Sequence, residues 1–133
     1  MPETFEGGKI AMARKVLVVD DDIISQNLLR STLNQGGYSV IVASDGTEGI
    51  KKAIQEMPGL IILDIMMPGM DGGEVAALLR NDPETTKIPI IFLSSLVTEN
   101  SKKLNDRKGM ITYLSKPYNR DELLNEVKKY FLG

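Results

Sequence analysis

The sequence predicts an α/β domain in which a parallel sheet is doubly wound, with helices covering both of its faces. Two observations predict this class. Five short apolar runs alternate with segments of helical periodicity, and each run is continuously apolar, as strands buried on both faces require. A length of 133 residues is that of one domain with a core of its own. Right-handed crossovers then give a (βα)5 domain of three layers.

The predicted strands are short runs rich in β-branched and aliphatic residues, bounded by polar residues, proline or glycine. In chain order they are Val16–Val19, Tyr38–Ala43, Leu60–Leu63, Ile90–Leu93 and Ile111–Leu114. Ligands of an open α/β sheet bind beyond the carboxyl ends of its strands. The residues that follow each run are therefore the first candidates for a functional site.

Helices are predicted between and after the strands by apolar residues at spacings of three and four. Those residues are, in chain order, Ile24, Leu28, Leu29 and Leu33; Ile50, Ala53, Ile54 and Met57; Val75, Leu78 and Leu79; and Leu123, Leu124, Val127 and Phe131. Gly36-Gly37 and Pro58-Gly59 end the first two helices, and Asn119 with Glu122 begins the last. Residues 98–108 are polar and indicate a helix only weakly.

The composition excludes several classes of site and partner. The chain has no cysteine and no histidine, which removes disulfides, thiol nucleophiles, zinc sites of the usual kind and a histidine base. The net charge of −2 is too small to predict direct binding of nucleic acid. No apolar run approaches the roughly 18 residues of a membrane span, so we expect no membrane association and a cytoplasmic location. Residues 1–14 are expected to form a flexible arm before a domain over residues 15–132.

Acidic and polar residues follow the predicted strands. Asp20-Asp21-Asp22 follow the first, Asp64 the third, Ser94-Ser95 the fourth and Ser115-Lys116-Pro117 the fifth. Like charges about 4 Å apart repel by roughly 1 kcal/mol in water and by several times that at a partly buried site, so this cluster indicates a bound cation. Oxygen ligands alone favour Mg²⁺, Mn²⁺ or Ca²⁺, and Lys116 is suited to a carboxylate or phosphate oxygen. Asp22 is interpreted separately, as the N-cap of the first helix.

The motifs KVLVVDDD, DIMMPGMDG, PIIFLSS and YLSKP resemble, in order and spacing, the receiver domain of response regulators in two-component signalling. The resemblance covers about residues 15–132 and implies a flavodoxin-like fold with strand order 2-1-3-4-5. It implies a signalling domain rather than an enzyme, in which self-catalysed phosphorylation of Asp64 and autodephosphorylation are expected. The phosphoryl donor would be a sensor histidine kinase or a histidine phosphotransfer protein.

The resemblance also implies roles for individual residues at the acidic cluster. Asp64 matches the aspartate that accepts the phosphoryl group. Asp20 and Asp21 match the acidic pair that holds Mg²⁺ or Mn²⁺, with Asp21 the direct ligand and Asp20 acting largely through water. Met66 matches the residue whose backbone carbonyl binds the metal.

The remaining roles concern the response to phosphorylation. Ser94 matches the hydroxyl residue that bonds the phosphoryl group, and Lys116 matches the lysine that pairs with its oxygens. Pro117 often follows that lysine through a cis peptide in this family. Tyr113 matches the aromatic residue that changes rotamer on activation. An output protein or a second copy of the chain is expected to bind through residues 96–131, and the kinase nearer helix 24–36.

Two alternatives remain at this stage. In a haloacid-dehalogenase-type phosphatase, Asp20 would be the nucleophile and Asp22 the acid/base. That class needs a further acidic pair at a strand end after the lysine, whereas only Asp121-Glu122 follow, and it leaves DIMMPGMDG unexplained. A pseudo-receiver with an inactive site is the second alternative, and the intact set of site residues argues against it.

Overall fold

The computed structural model describes residues 14–95 and 111–131 of the chain. The strands are β1 (Lys15–Val19), β2 (Ser39–Ala43), β3 (Leu60–Asp64), β4 (Ile90–Ser94) and β5 (Ile111–Ser115), and the helices are α1 (Ile23–Gln35), α2 (Gly46–Glu56), α3 (Gly72–Asn81) and α4 (Arg120–Lys128). The five strands pair in parallel in the order β2-β1-β3-β4-β5. This confirms the predicted doubly wound sheet and the strand order implied by the resemblance. The weakly indicated helix over 98–108, and all of the expected arm except Arg14, lie outside the described residues.

The core lies on both sides of the three central strands, because successive side chains of a strand point to opposite faces. On one face Leu17, Val19, Leu63 and Phe92 pack with residues of α2 and α3, including Ala53, Val75 and Leu79. On the other face Val16, Val18, Ile62 and Leu93 pack with residues of α1 and α4, including Leu29, Leu33, Leu123 and Val127. The sheet is thus covered on both faces, and its strand ends remain the sites open to a ligand.

The apolar spacing predicts the four described helices, but α2 and α4 end before Met57 and Phe131, and not every apolar residue in the helices faces the core. Ile24 and Leu28 of α1 are 74% and 56% exposed, and Leu78 of α3 is 47% exposed. In α1 the stripe against the sheet is formed by Leu29 and Leu33 together with the buried polar residues Gln26 and Thr32. The exposed apolar residues of α1 therefore lie on its solvent side, next to the end of β1.

Side chains cap the N-termini of all four described helices. The capping residues are Asp22, Asp45, Asp71 and Asn119. The carboxylate of Asp22 accepts hydrogen bonds from the backbone N–H groups of Ile24 and Ser25, at 3.4 and 3.2 Å. This confirms the predicted N-cap and shows that α1 begins directly after the acidic residues that end β1.

Candidate functional site

Three carboxylates meet at the carboxyl edge of the sheet. Asp20 and Asp21 follow β1, and Asp64 ends the neighbouring strand β3. One carboxylate oxygen from each residue lies within 4.8 Å of the other two. Asp20 and Asp64 are 1% and 7% exposed, whereas Asp21 is exposed to solvent. The cluster is therefore a shallow acidic pocket with two buried acids and one accessible acid.

Backbone N–H groups in the segments that follow β1 and β3 hold the buried acids in position. Asp20 Oδ1 accepts a hydrogen bond from the N–H of Asp22 at 2.9 Å, and Asp64 Oδ1 accepts one from the N–H of Met66 at 3.1 Å. Each bond spans two residues, so each acid is fixed by the turn that follows its own strand. Oδ1 of each carboxylate thereby has a backbone hydrogen bond, which leaves Oδ2 of each for other contacts.

Lys116 contacts those second oxygens from the end of β5. Its Nζ lies 3.6 Å from Asp20 Oδ2 and 3.7 Å from Asp64 Oδ2. The N–H of Lys116 donates to the carbonyl of Ser94 at 2.9 Å, which ties the ends of β5 and β4 together. The Lys116–Pro117 peptide is cis, as the resemblance implied. One lysine is thus shared between two buried carboxylates.

Ionisation of Asp64 is disfavoured in this site. Burial raises the pKa of Asp64 above its ordinary value of 3.8. The nearby Lys116 acts in the opposite direction and lowers this pKa, while the charges of Asp20 and Asp21 raise it. The net rise in the pKa of Asp64 means that its ionised form is disfavoured unless further positive charge, such as a bound cation, lies next to it.

The raised pKa gives the metal-free protein a testable pH dependence. A folded-state pKa above the unfolded value gives stability that is present below the unfolded pKa and is lost as pH rises through the folded pKa. Asp64 therefore destabilises the metal-free fold at pH 7, and Asp64→Asn should raise the midpoint of thermal unfolding by roughly 2–5 °C, equivalent to about 1 kcal/mol. Thermal unfolding in a chelator should show this gain shrinking from pH 7 to pH 4. A gain that stays constant over that range would contradict the prediction.

The donor set of the pocket fits a hard divalent cation. All its side-chain donors are carboxylate oxygens, which Mg²⁺ and Mn²⁺ prefer. Asp20 Oδ2 is buried and has no hydrogen-bond partner, and its 3.6 Å contact with Lys116 Nζ is too long for one. A buried carboxylate oxygen left without a hydrogen bond is unfavourable, and a cation in the pocket would supply the missing interaction.

Ser94 and Tyr113 lie on strands next to the acidic pocket. Ser94 ends β4, is 1% exposed and pairs with Ser115 in the sheet. Tyr113 pairs with Phe92, and their rings stack with centroids 5.1 Å apart and planes at 22°. Ser94 is two residues after Phe92 and therefore points to the same face of the sheet as the stacked pair. Met66, by contrast, is 56% exposed, and its backbone N–H donates to Asp64.

Gln26 is a site residue that sequence reasoning missed. Its buried side-chain amide donates to the backbone carbonyl of Asp20 at 2.5 Å and to the hydroxyl of Ser44 at 3.1 Å. It therefore links α1 to the ends of β1 and β2 directly beneath the acidic pair. A polar residue on the buried stripe of α1 is the only sequence signal for this role.

Gly72 is a second residue that sequence reasoning missed. A Cβ atom at this position would lie 2.6 Å from the carbonyl oxygen of Asp64 and 2.8 Å from the Cα of Ile65. The N–H of Gly72 also donates to the carbonyl of Ile65 at 3.1 Å. The first turn of α3 thus packs directly on the backbone that carries Asp64, and only glycine fits there.

This contact predicts different effects for two adjacent glycines. Gly72→Ala should lower the free energy of unfolding by about 1–3 kcal/mol, because the backbone of β3 has to move. At Gly73 the nearest neighbour of an added Cβ is a side-chain oxygen of Asp71 at 3.3 Å. Gly73→Ala should therefore be neutral or stabilise the helix by up to about 1 kcal/mol. Urea denaturation of both variants checks this, and equal effects would refute the proposed packing constraint.

Comparison with known families identifies the domain to which this site belongs. The family model of the response regulator receiver domain matches residues 16–128. The chain belongs to the response-regulator receiver family. It is therefore a signalling domain of two-component systems, and the haloacid-dehalogenase alternative is excluded.

Two curated relatives illustrate the range of proteins that contain such a receiver domain. The alkaline phosphatase synthesis transcriptional regulatory protein PhoP of Bacillus subtilis is 42% identical over 117 residues, which are 88% of this chain and 48% of PhoP. The chain thus spans about half the length of that relative. Protein PilH of Pseudomonas aeruginosa is 34% identical over 122 residues, covering 92% of this chain and all of PilH.

Solved receiver structures share the fold. The chemotaxis protein CheY4 of Vibrio cholerae superimposes with a TM-score of 0.80 at 33% identity, covering 87% of this chain and 97% of CheY4. The receiver domain of the sensor histidine kinase PA1611 of Pseudomonas aeruginosa superimposes with a TM-score of 0.79 at 25% identity, covering 90% of this chain and 98% of that domain. The PA1611 structure has a magnesium ion coordinated in its active site cleft. Among the described residues of the present chain, no helix is long and apolar enough to cross a membrane.

Proposed function

We propose that this receiver domain is a phosphoryl-accepting switch and that Asp64 is the residue phosphorylated. The observation that carries the proposal is the shared contact of Lys116 with Asp20 and Asp64, at 3.6 and 3.7 Å, inside a pocket of three carboxylates. The lysine supplies positive charge next to Asp64, whose pKa is raised by burial. A nucleophilic carboxylate that meets an anionic phosphoryl group needs such a charge.

The acidic pocket would hold Mg²⁺, or Mn²⁺, through Asp20, Asp21, Asp64 and the backbone carbonyl of Met66. The carboxylate oxygens within 4.8 Å of each other and the unpartnered Asp20 Oδ2 support this assignment. The magnesium ion in the cleft of the PA1611 receiver domain supports it as well. The ion would neutralise charge on the phosphoryl oxygens during transfer.

The protein's own residues then account for the transfer. A carboxylate oxygen of Asp64 bonds to phosphorus while the P–N bond to the donor histidine breaks, and the imidazole nitrogen keeps the electron pair and takes up a proton. Lys116 pairs with the phosphoryl oxygens, and Asp20, held by the N–H of Asp22, keeps the lysine in place. Autodephosphorylation is hydrolysis of the acyl phosphate: the oxygen of water bonds to phosphorus and gives up a proton, the P–O bond to Asp64 breaks, and inorganic phosphate and the free Asp64 carboxylate are released.

The signal would leave the site through β4 and β5. The Ser94 hydroxyl would move to donate to a phosphoryl oxygen, and Tyr113 would turn from its stack on Phe92 into the space behind β4. The position of Ser94 and the Phe92–Tyr113 pair on one face of the sheet supports this route. An output protein, or a second copy of the chain, would bind the surface of residues 96–131, of which 96–110 lie outside the described residues. This binding requires neither nucleic acid nor a membrane, consistent with a cytoplasmic location.

The phosphodonor would dock on the exposed apolar side of α1. Ile23, Ile24 and Leu28 are 67%, 74% and 56% exposed, and α1 begins beside the acidic pocket. Exposed apolar residues that adjoin a reactive carboxylate are suited to a transient protein partner, here a sensor histidine kinase or a phosphotransfer protein.

This docking side predicts a donor-dependent defect. Leu28→Glu should slow phosphorylation by a phosphorylated histidine phosphotransfer protein at least tenfold, about 1.4 kcal/mol, and leave phosphorylation by acetyl phosphate unchanged. Leu78→Glu is the matched control, because Leu78 is a similarly exposed leucine on α3. Equal slowing with both donors, or by both variants, would contradict docking on α1.

The proposed function itself is tested by incubating the protein with Mg²⁺ and acetyl phosphate. The expected product has the mass of one added phosphoryl group, and peptide mapping after borohydride reduction locates it at Asp64. Omitting Mg²⁺ should prevent the labelling. Labelling at any other residue, or labelling without a divalent metal, would overturn the proposal.

A further inference from the structure

A cavity lies at the edge of the sheet opposite the acidic pocket. It has a volume of about 400 Å³ and opens between the segment before β1, the turn from α1 to β2 and the second half of α4. Its lining residues are Arg14, Gly36, Tyr38, Leu124, Asn125, Lys128 and Phe131. The amino ends of the strands lie on this side, so the cavity is separate from the site of phosphoryl transfer.

Within the described part of the chain, two cationic side chains of the cavity have no acidic partner. Among the described residues, neither Arg14 nor Lys128 forms an ion pair with a carboxylate. Arg14 makes one long hydrogen bond, 3.5 Å to the carbonyl of Gly36, and its buried Nε has no partner. The adjacent Lys129 differs, because its Nζ is paired with Glu126 at 3.1 Å. The positive charge of this cavity is therefore not compensated by any described acidic residue, and such charge attracts an anion.

Aromatic rings form the apolar side of the same cavity. Tyr38 and Phe131 have ring centroids 5.2 Å apart and are tilted by 45°. The guanidinium carbon of Arg14 lies 4.6 Å from the centre of the Tyr38 ring, which fixes the arginine over this ring. An aromatic wall next to cations is suited to a ligand that combines a planar ring with an anionic group.

We propose that this cavity is a second ligand site, which binds a nucleoside monophosphate. The phosphate would lie between Arg14 and Lys128, and the base would pack on Phe131. The volume falls within the range of about 300–1,000 Å³ that is usual for small-molecule sites. The exposed amide of Asn125 adds a hydrogen-bonding group at the rim. This site does not depend on the phosphoryl transfer proposed for Asp64.

The test is a titration of the full chain with AMP in metal-free buffer, followed by amide NMR. Saturable shifts are expected at Gly36, Tyr38 and Asn125. Lys128→Ala should weaken AMP binding about tenfold, the loss expected for about 1.4 kcal/mol, while Lys129→Ala should change it less than twofold. Arg14→Gln provides a second variant with an equal or larger loss. Adenosine and inorganic phosphate should each bind at least tenfold more weakly than AMP. Adenosine lacks the phosphate that would lie between Arg14 and Lys128, and inorganic phosphate lacks the base that would pack on Phe131.

Several results would overturn the proposal. No saturable shift, or shifts confined to the edge that carries Asp64 and Lys116, would mean that the cavity does not bind the nucleotide. Equal losses in Lys128→Ala and Lys129→Ala would indicate general attraction by surface charge. Inorganic phosphate that binds as tightly as AMP would show an anion site with no role for the aromatic wall.

Discussion

Asp64→Asn is expected to reduce phosphorylation by acetyl phosphate or by a histidine phosphotransfer protein to background. The substitution keeps the shape of the side chain and can retain the hydrogen bond from the N–H of Met66. It removes the anionic oxygen that would bond to phosphorus, and an amide is no nucleophile for this transfer. Because a buried charge is removed, the variant should fold at least as stably as the wild type.

The measurement is intact-mass analysis with both donors, alongside circular dichroism to establish folding. Asp22→Asn is the matched control, because Asp22 caps α1 and its pKa is lowered chiefly by hydrogen bonding to Ser25. That control should label as the wild type does. A folded Asp64→Asn protein that still gains one phosphoryl group at the wild-type rate would assign the reaction to another residue.

Asp21→Ala is expected to weaken Mg²⁺ binding at least tenfold, about 1.4 kcal/mol. Asp21 is the solvent-exposed member of the three-carboxylate cluster, so its loss removes a negative charge from the cation site without opening a core cavity. The substitution removes the repulsion of Asp21 by Asp20 and Asp64, so the free energy of unfolding of the metal-free protein should not fall.

Asp22→Ala is the control for this prediction, because it removes a helix cap and not a proposed metal ligand. It should lower stability by about 0.5–2 kcal/mol through loss of the N-cap, and change Mg²⁺ affinity much less than Asp21→Ala. Isothermal calorimetry with Mg²⁺ and thermal unfolding in chelator give the two quantities independently. A larger loss of affinity in Asp22→Ala would exchange the roles assigned to the two residues.

The placement of the acids at one edge of the sheet was predictable because it follows from parallel strands alone. Once the runs before Asp20 and Asp64 are recognised as parallel strands, their carboxyl ends share an edge. The N-cap role of Asp22 was predictable for a similar reason, since capping depends on a few neighbouring residues. The strand order 2-1-3-4-5, however, came from the family resemblance, because apolar runs do not specify which strands are neighbours.

Other features depend on contacts between distant parts of the chain, and the sequence pattern does not contain them. In α1 the apolar residues fit two overlapping stripes, and only the packed structure shows that Leu29 faces the sheet while Leu28 faces solvent. Gln26 occupies the buried stripe because its amide finds the carbonyl of Asp20 and the hydroxyl of Ser44. Gly72 is required because the carbonyl oxygen of Asp64, at the end of β3, lies 2.6 Å from where its Cβ would be.

Arg14, directly before β1, and Phe131, after α4, line one cavity at the edge remote from Asp64. The start of β1 and the turn after α4 therefore lie on the same side of the sheet. A label attached at either of these two residues would lie far from the reactive edge and leave access for a phosphodonor undisturbed. Such a label could respond to the chemistry only through the intervening sheet and helices, so it should report a change of shape rather than direct contact with the phosphoryl group.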